Sequence, residues 1–443
     1  MTSPDPSAVR TAIAAAWEEI DRDRLAELVV GLVDIPSPTG EEGELAQWAA
    51  GQLDAHGIPA RTQWLDDRQA NAVGELAGTG GGEDVLLYAP IDTLTVGDAD
   101  EDVPWIGPEL REDMQPRARV HGDHVLGLGA SNPKGHAACV MAAAEAIAAA
   151  GIDLPGSVLV GLGAGGMPTN GRIERGLTRH NAGQGAGCSF MLEQGVWADH
   201  AVIAKPGWAV AWEEVGLCWF EVEVEGNFSY VGSRHRMPYR NAIAGASVVV
   251  LELEEWFTAY AERHTDGLVA PQGIVSAIES GWPRMSSVTP ALCRFYVDLR
   301  TSPRTPLADV RREFGAAVEE IRARHPELAV RWRSRLTIPG TATALDAPVV
   351  AAAVAAWEEL AGEPHRPIVA NSGATDANIL RQKGLPTARI GMDRIGPDAP
   401  LPLDFPAGMN VVDLREAERL TRHLVHTAVT LASRTARPAE PLL

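Results

Sequence analysis

The residues whose types and spacing suit chemistry fall into a few small groups. His121 and His124 close the short run HGDH, a pairing that resembles two metal ligands. Zinc would need a third ligand and an open position, and a turn-like loop makes these histidines surface groups. His136 directly follows Lys134 and Gly135 at the start of an alanine-rich helix, and as a titratable ring it is a candidate for acid/base work. The run Asn371-Ser372-Gly373-Ala374-Thr375-Asp376 strings together hydroxyls and amides, which suit recognition of a carboxylate or an amide. Ser372 as a nucleophile has no triad spacing behind it. Arg234, Arg236 and Arg240, with His235 among them, form a basic cluster in a chain of 38 basic and 59 acidic residues, a place for an anionic group. The four cysteines, Cys139, Cys188, Cys218 and Cys293, form no CxxC pair and read as reduced core residues. Most of the twelve tryptophans read as core, with Trp208, Trp212, Trp219 and Trp282 as candidates for an aromatic cleft lining.

The elements that must position these groups are those of a soluble two-domain protein, since 443 residues exceed one ordinary core. A net charge of −21 repels phosphate backbones and anionic lipid, which excludes nucleic acid and membrane partners. The N-terminal run MTSPDPSAVR has no basic segment followed by an apolar one. The most apolar helix, from His136 to about Gly151, is short and carries Glu145. A cytoplasmic protein is expected. Apolar periodicity predicts helices over 8–32 and 41–57, with IPSPTG breaking them. DVLLYAPID at 84–92 and GSVLVGL at 156–162 read as buried strands of a mostly parallel sheet, with a helix over 134–150 between them. From Trp212 the pattern changes: CWFEVEVEG alternates apolar and polar, and GIVSAIESG, LCRFYVDLR and AVRWRSRL follow with helices over 241–262 and 307–324. That is a four-stranded antiparallel sheet with two helices. After Pro339 the α/β pattern resumes. The predicted organisation is an α/β domain of residues 1–211 and 339–443, split by an inserted α+β domain of residues 212–338.

This organisation resembles the family of carboxypeptidase G, acetylornithine deacetylase, succinyl-diaminopimelate desuccinylase and aminoacylase. The resemblance runs along the whole chain through IPSPTGEE (35–42), NAVGEL (71–76), IDT (91–93), KG (134–135), NAI (241–243), DLR (298–300), GATDA (373–377) and GLPTARIG (384–391). It implies hydrolysis of an amide beside a carboxylate by one or two zinc ions. It further implies an inserted domain acting as lid and homodimer interface.

Set against the family's five ligand motifs, the sequence departs at each. Where the first motif has a zinc-binding His before its Asp, this chain has Pro90 before Asp92. Asn132 takes the place of the bridging Asp. Gly165 and Gly166 fall near the paired glutamates, and Lys205 stands at the fourth motif's acidic ligand. PLDFPAGMN, with no histidine from 391 to 413, covers the fifth. Three readings follow. A dead enzyme retained as a binding or structural partner is one. Relocation of the metal to His121, His124, His136, Asp393 and Asp404 is another. The reading adopted is a metal-free active site with no cofactor, in which Lys205 replaces the metal's charge and Asp92 is its counter-ion. Lys205 then holds a substrate carboxylate or an oxyanion, or acts as base or nucleophile, hydrolysis being the default and lyase, isomerase or condensing chemistry open. A salt bridge that merely fills the vacated hole is the plain alternative for Lys205. On this reading Asp92, Lys205 and His136 are catalytic. Asn132, Asn371, Ser372, Thr375 and, from the inserted domain, Tyr230, His235 and Arg240 bind the small-molecule substrate. Tyr230 lies near the position of a family histidine that reaches a neighbouring subunit's site.

Overall fold

The computed structural model describes residues 5–169, 183–393, 395 and 408–436. Helices α1 (Pro6–Glu18), α2 (Arg22–Asp34) and α3 (Gly43–Ala55) come first. The single helix expected over 8–32 is two, because Asp21 adopts extended backbone and its carboxylate caps the second by accepting from Asp23 N at 2.9 Å. Strands β1 (Ala60–Trp64), β2 (Ala70–Leu76) and β3 (Val85–Pro90) lead to helix α4 (Lys134–Ala149). Strand β4 (Val158–Gly163), helix α5 (Ala186–Glu193) and strand β5 (His200–Ala204) follow.

The chain then forms β6 (Gly216–Glu225), α6 (Ala242–His264), β7 (Gly273–Ser280), β8 (Leu292–Thr301), α7 (Leu307–Arg324) and β9 (Ala329–Ile338). It closes with α8 (Pro348–Ala361), α9 (Ala377–Gln382), β10 (Thr387–Ile390) and α10 (Leu414–Ala432). Two compact units result: residues 1–212, 343–368 and 375–443 form one, and residues 213–342 with 369–374 form the other. The expectation kept 339–443 whole in the first unit. Residues 369–374 depart from it because Asn371 N donates to Leu268 O and Ala270 N donates to Asn371 O, tying that stretch to the inserted segment.

The first unit is built on a six-stranded sheet in the order β1-β2-β4-β3-β5-β10. β4, β3, β5 and β10 run parallel, and β1 and β2 are antiparallel additions at one edge. VLLYAP, VLVGLG and HAVIA are buried at every residue, as strands covered on both faces must be. Alternate residues serve opposite faces: Val85, Leu87 and Ala89 pack with α2, α4 and α10, whereas Leu86 and Tyr88 pack with Cys188, Met191 and Leu380 of α5 and α9. The path from β3 through α4 reaches β4 on one side, and the path from β4 through α5 returns to β5 on the other. The connections diverge there. A crevice outside the carboxyl ends of β3 and β5 is therefore where an open α/β sheet places its ligand.

The second unit is an antiparallel sheet in the order β7-β8-β6-β9 with α6 and α7 on one face. Phe220 of β6 stacks on Phe314 of α7 with ring centres 4.0 Å apart. On the strands' other face Glu221 and Glu223 meet Arg294 and Arg333. Among the described residues no helix is long and apolar enough to cross a membrane.

In the first unit, α10 buries His423, whose Nε2–H donates to Ala353 O at 2.8 Å and whose ring stands edge-on to Trp208. Burial pushes its pKa down to about 3. The unfolded chain takes up a proton below about pH 6.5 and the folded chain does not until about pH 3, so stability falls as pH drops through that window. Between pH 7 and pH 5 the loss from this ring should approach about 2 kcal/mol. Urea denaturation of wild type and His423→Gln at the two pH values checks it. Equal losses in both proteins would rule out His423 as a source.

Candidate active site

Lys134 starts the assembly. Its side chain is fully buried, and its Nζ donates to Ile35 O at 2.7 Å, at the carboxyl end of α2, where a cation complements the exposed carbonyls. Burial pulls its pKa down to about 7, against the negative charge of Asp34. The IPSPTGEE loop leaving that point is laced to the IDT segment after β3. Ser37 Oγ donates to Ile91 O at 2.8 Å, Thr93 N to Ser37 O at 2.8 Å, and Thr39 N to Thr93 O at 3.1 Å.

Two buried carboxylates then grip the turn after β4. Asp92 accepts from Gly166 N at 2.8 Å through Oδ1, and from Met167 N at 2.9 Å and Thr39 Oγ1 at 2.7 Å through Oδ2. Glu42 accepts from Gly165 N at 2.8 Å, from Gly40 N at 3.1 Å and from Gln69 Nε2 at 3.3 Å. Three successive amides, 165 to 167, thus point into carboxylates, with Gly165 in the left-handed region at φ +62° to make the bend. Gly166 is required: a Cβ there would lie 2.5 Å from Pro90 Cβ and 3.1 Å from each of Asp92 Oδ1 and Asp376 Oδ2. Burial first, and then the charge of Asp92, raises the Glu42 pKa to about 8. Burial also raises that of Asp92, opposed by its hydrogen bonds and by the positive charge of Lys205.

Lys205 follows β5, nearly buried, and its Nζ donates to Asn132 Oδ1 at 3.1 Å. The expected pairing with Asp92 takes another form. The ammonium acts on Asp92 through its charge, while the carboxylate's own bonds go to Gly166, Met167 and Thr39. With its oxygen turned to Lys205, Asn132 presents its amide N–H groups away from the lysine. Asn132 is itself held by the bonds of Ser131 N and Asn132 N to Met409 O.

His136 is brought to the same end of the sheet, but its ring does not suit the acid/base role expected of it. Nδ1 donates to Ser131 O at 2.7 Å, and Nε2 accepts from Met392 N at 3.2 Å. Burial, with the charges of Lys205 and Arg389, lowers its pKa to about 3. The ring is a neutral clamp joining two loops.

Asp376 was passed over as a site residue in the sequence. It sits at the N-cap of α9, yet its carboxylate does not cap the helix; the Thr375 hydroxyl accepts from Ala377 N at 3.1 Å instead. Tyr88 Oη donates to Asp376 Oδ2 at 2.6 Å, inside the protein. Glu42 and Tyr88 were passed over as well. Glu42 closes the IPSPTGEE motif and so carried a signal, whereas Tyr88 lies within an apolar strand and carried none.

The other sequence candidates belong to the second unit. Ser372 Oγ donates to Ala270 O, and Asn371 is bonded through its backbone to Leu268 and Ala270. Tyr230 is 58% exposed, Arg240 N donates to Asn227 Oδ1, and Arg234 lies over the Tyr239 ring. Among the described residues the relocated metal set is not assembled. His124 lies 3.7 Å from Asp413, His136 is clamped, Asp393 lies 3.9 Å from Arg419, and Asp404 is outside the described residues.

A parallel-stranded α/β unit with its polar site at the β3–β5 crevice, interrupted by an antiparallel α+β unit, is the architecture of a two-domain peptidase. The chain belongs to the peptidase family M20/M25/M40, which matches residues 86–402. Solved structures of the same fold include human carnosine dipeptidase 1, at 14% identity and TM-score 0.68, covering 97% of this chain and 100% of that one. The di-peptidase Dug1p from Saccharomyces cerevisiae aligns at 10% identity and TM-score 0.69, covering 96% and 99%. A hydantoinase/carbamoylase family amidase from Burkholderia ambifaria aligns at 16% identity and TM-score 0.60, covering 95% and 99%.

The zinc implied by the resemblance does not fit the described residues of this crevice. The oxygens of Asp92 and Glu42 already accept from backbone amides and side chains, and the charge acting on Asp92 from Lys205 is positive. Among the described residues no group of three or more His, Cys, Asp or Glu is arranged to hold a metal ion.

Proposed function

We propose that this chain hydrolyses a C–N bond in a small amide-, imide- or peptide-like carboxylate without the family's zinc, Lys205 supplying the positive charge. The observation that carries the reading is the Lys205–Asn132 pair at the carboxyl end of β5, a nearly buried cation bonded to a half-buried amide. The ammonium receives the negative charge that develops on the carbonyl oxygen as water attacks, an interaction worth most where water is excluded. Asp376, oriented by Tyr88, is the proposed base. It takes a proton from the attacking water as the C–O bond forms, then returns it to the leaving nitrogen as the C–N bond breaks. The products are a carboxylate and an amine from an amide, a carboxylate and an amide from an imide, and a carbamate and an amine or ammonia from a carbamoyl compound.

Protein purified without added metal and dialysed against a chelator tests this directly. Dipeptides, N-acyl amino acids and N-carbamoyl amino acids form the substrate panel. Turnover should persist with zinc and manganese well below stoichiometric amounts. Stoichiometric zinc whose removal abolishes turnover would overturn the metal-free reading, and binding without turnover would make the chain a binding protein.

A further inference from the structure

Between the turn gripped by Asp92 and the helix carrying Asp376 lies Gly183-Gln184-Gly185. Gln184 has φ +65°, in the left-handed region that a side chain enters only at a cost. Its backbone is fixed there: Gln184 N donates to Met167 O at 3.0 Å, and Gly185 N donates to Gly165 O at 2.8 Å. Met167 is also a residue whose amide Asp92 holds, so a single residue separates Gln184 from that carboxylate. On the other side Gly185 clears Asp376, since a Cβ there would lie 2.9 Å from Oδ1.

The side chain carries a second anomaly. Both atoms of its carboxamide, Oε1 and Nε2, are buried and have no hydrogen-bond partner among the described residues. Buried polar groups in folded proteins are paired as a rule, and a primary amide with neither end satisfied opposes folding. Backbone strain and an orphaned amide therefore meet in one residue, bonded into the framework of the candidate site. A glycine at 184 would remove both. Such a combination is retained where a ligand completes it.

We propose that Gln184 reads the substrate's amide, which narrows the substrate class within the amide-hydrolase reading on which this inference rests. A carboxamide side chain offers an acceptor and a donor side by side. Its complement offers N–H and C=O side by side in turn: a terminal –CO–NH2, free or as part of a ureido group, or an imide. A secondary amide is trans and directs its N–H and C=O to opposite sides, so it makes one of the two bonds at most.

The experiment compares N-carbamoylglycine with N-acetylglycine as probes, by isothermal titration calorimetry on wild type and Gln184→Gly, alongside thermal unfolding. Wild type should favour N-carbamoylglycine by about tenfold or more, because a site built around an amide rejects analogues that leave it unpaired. Gln184→Gly should lose that preference while its Tm rises by about 2 °C, from relief of strain and of the orphaned amide. A preference that survives in Gln184→Gly overturns the role of Gln184 and leaves the amide-hydrolase reading standing. A Gln184→Gly protein that melts below wild type and keeps the preference would make the side chain purely structural. Failure of wild type to bind either probe removes the amide-hydrolase reading and this inference together.

Discussion

Replacing Lys205 by methionine is expected to lower turnover by about 10²- to 10³-fold, the range for losing one preorganised group at a developing oxyanion. Methionine reproduces the unbranched stem and removes only the ammonium, so the packing around a nearly buried side chain is kept. The substitution removes the desolvation cost of a nearly buried cation and leaves Asn132 Oδ1 without that donor. The division between kcat and KM assigns the role. A fall in kcat places the ammonium at the reacting carbonyl, and a rise in KM alone places it at the substrate's carboxylate. Unchanged kinetics would reduce Lys205 to a group that fills space in the crevice.

Asp92→Ala should be the most damaging single change to folding, at about 3–5 kcal/mol. Three donors lose their acceptor at once: Gly166 N, Met167 N and the Thr39 hydroxyl, all pointing at a fully buried carboxylate. Thr39→Val removes only one of these bonds and should cost about 1–2 kcal/mol, with the carboxylate still bound to two amides. Urea denaturation of the three proteins orders them. A loss below that of Thr39→Val in the Asp92→Ala protein would show that the turn at 165–167 does not depend on this carboxylate.

Much of the architecture was legible because parallel strands announce themselves. VLLYAP and VLVGLG are apolar at nearly every position, as strands buried on both faces must be, and CWFEVEVEG alternates because its sheet has one polar face. The break at Asp21 was hidden because a capped three-residue link preserves helical periodicity on both sides. The candidate site was legible in its residue types and only partly in its roles. Lys205 and Asn132 stood out by their chemistry, and they do meet. His136 is clamped by the backbone of Ser131 and Met392, and backbone partners leave no trace in side-chain types. Asp92 feels the charge of Lys205 and also holds peptide groups, which left no trace in the sequence for the same reason. Gln184 offered no pattern at all. Its significance lies in a φ angle and in two bonds that are not made.

The turn held by Asp92 and Glu42 also limits what this protein can become. On the proposed metal-free reading, a chain turning the described crevice into a metal centre would have to replace Pro90, Asn132 and Lys205. It would also have to withdraw Asp92 from the amides it now secures, and each early step would weaken the fold before any ion could repay the loss. Intermediates along that route are poorer folders than either end. Sequence drift at these positions is therefore constrained by folding as well as by catalysis, and descendants of this chain should diversify in the loops that meet the substrate while the gripped turn stays as it is.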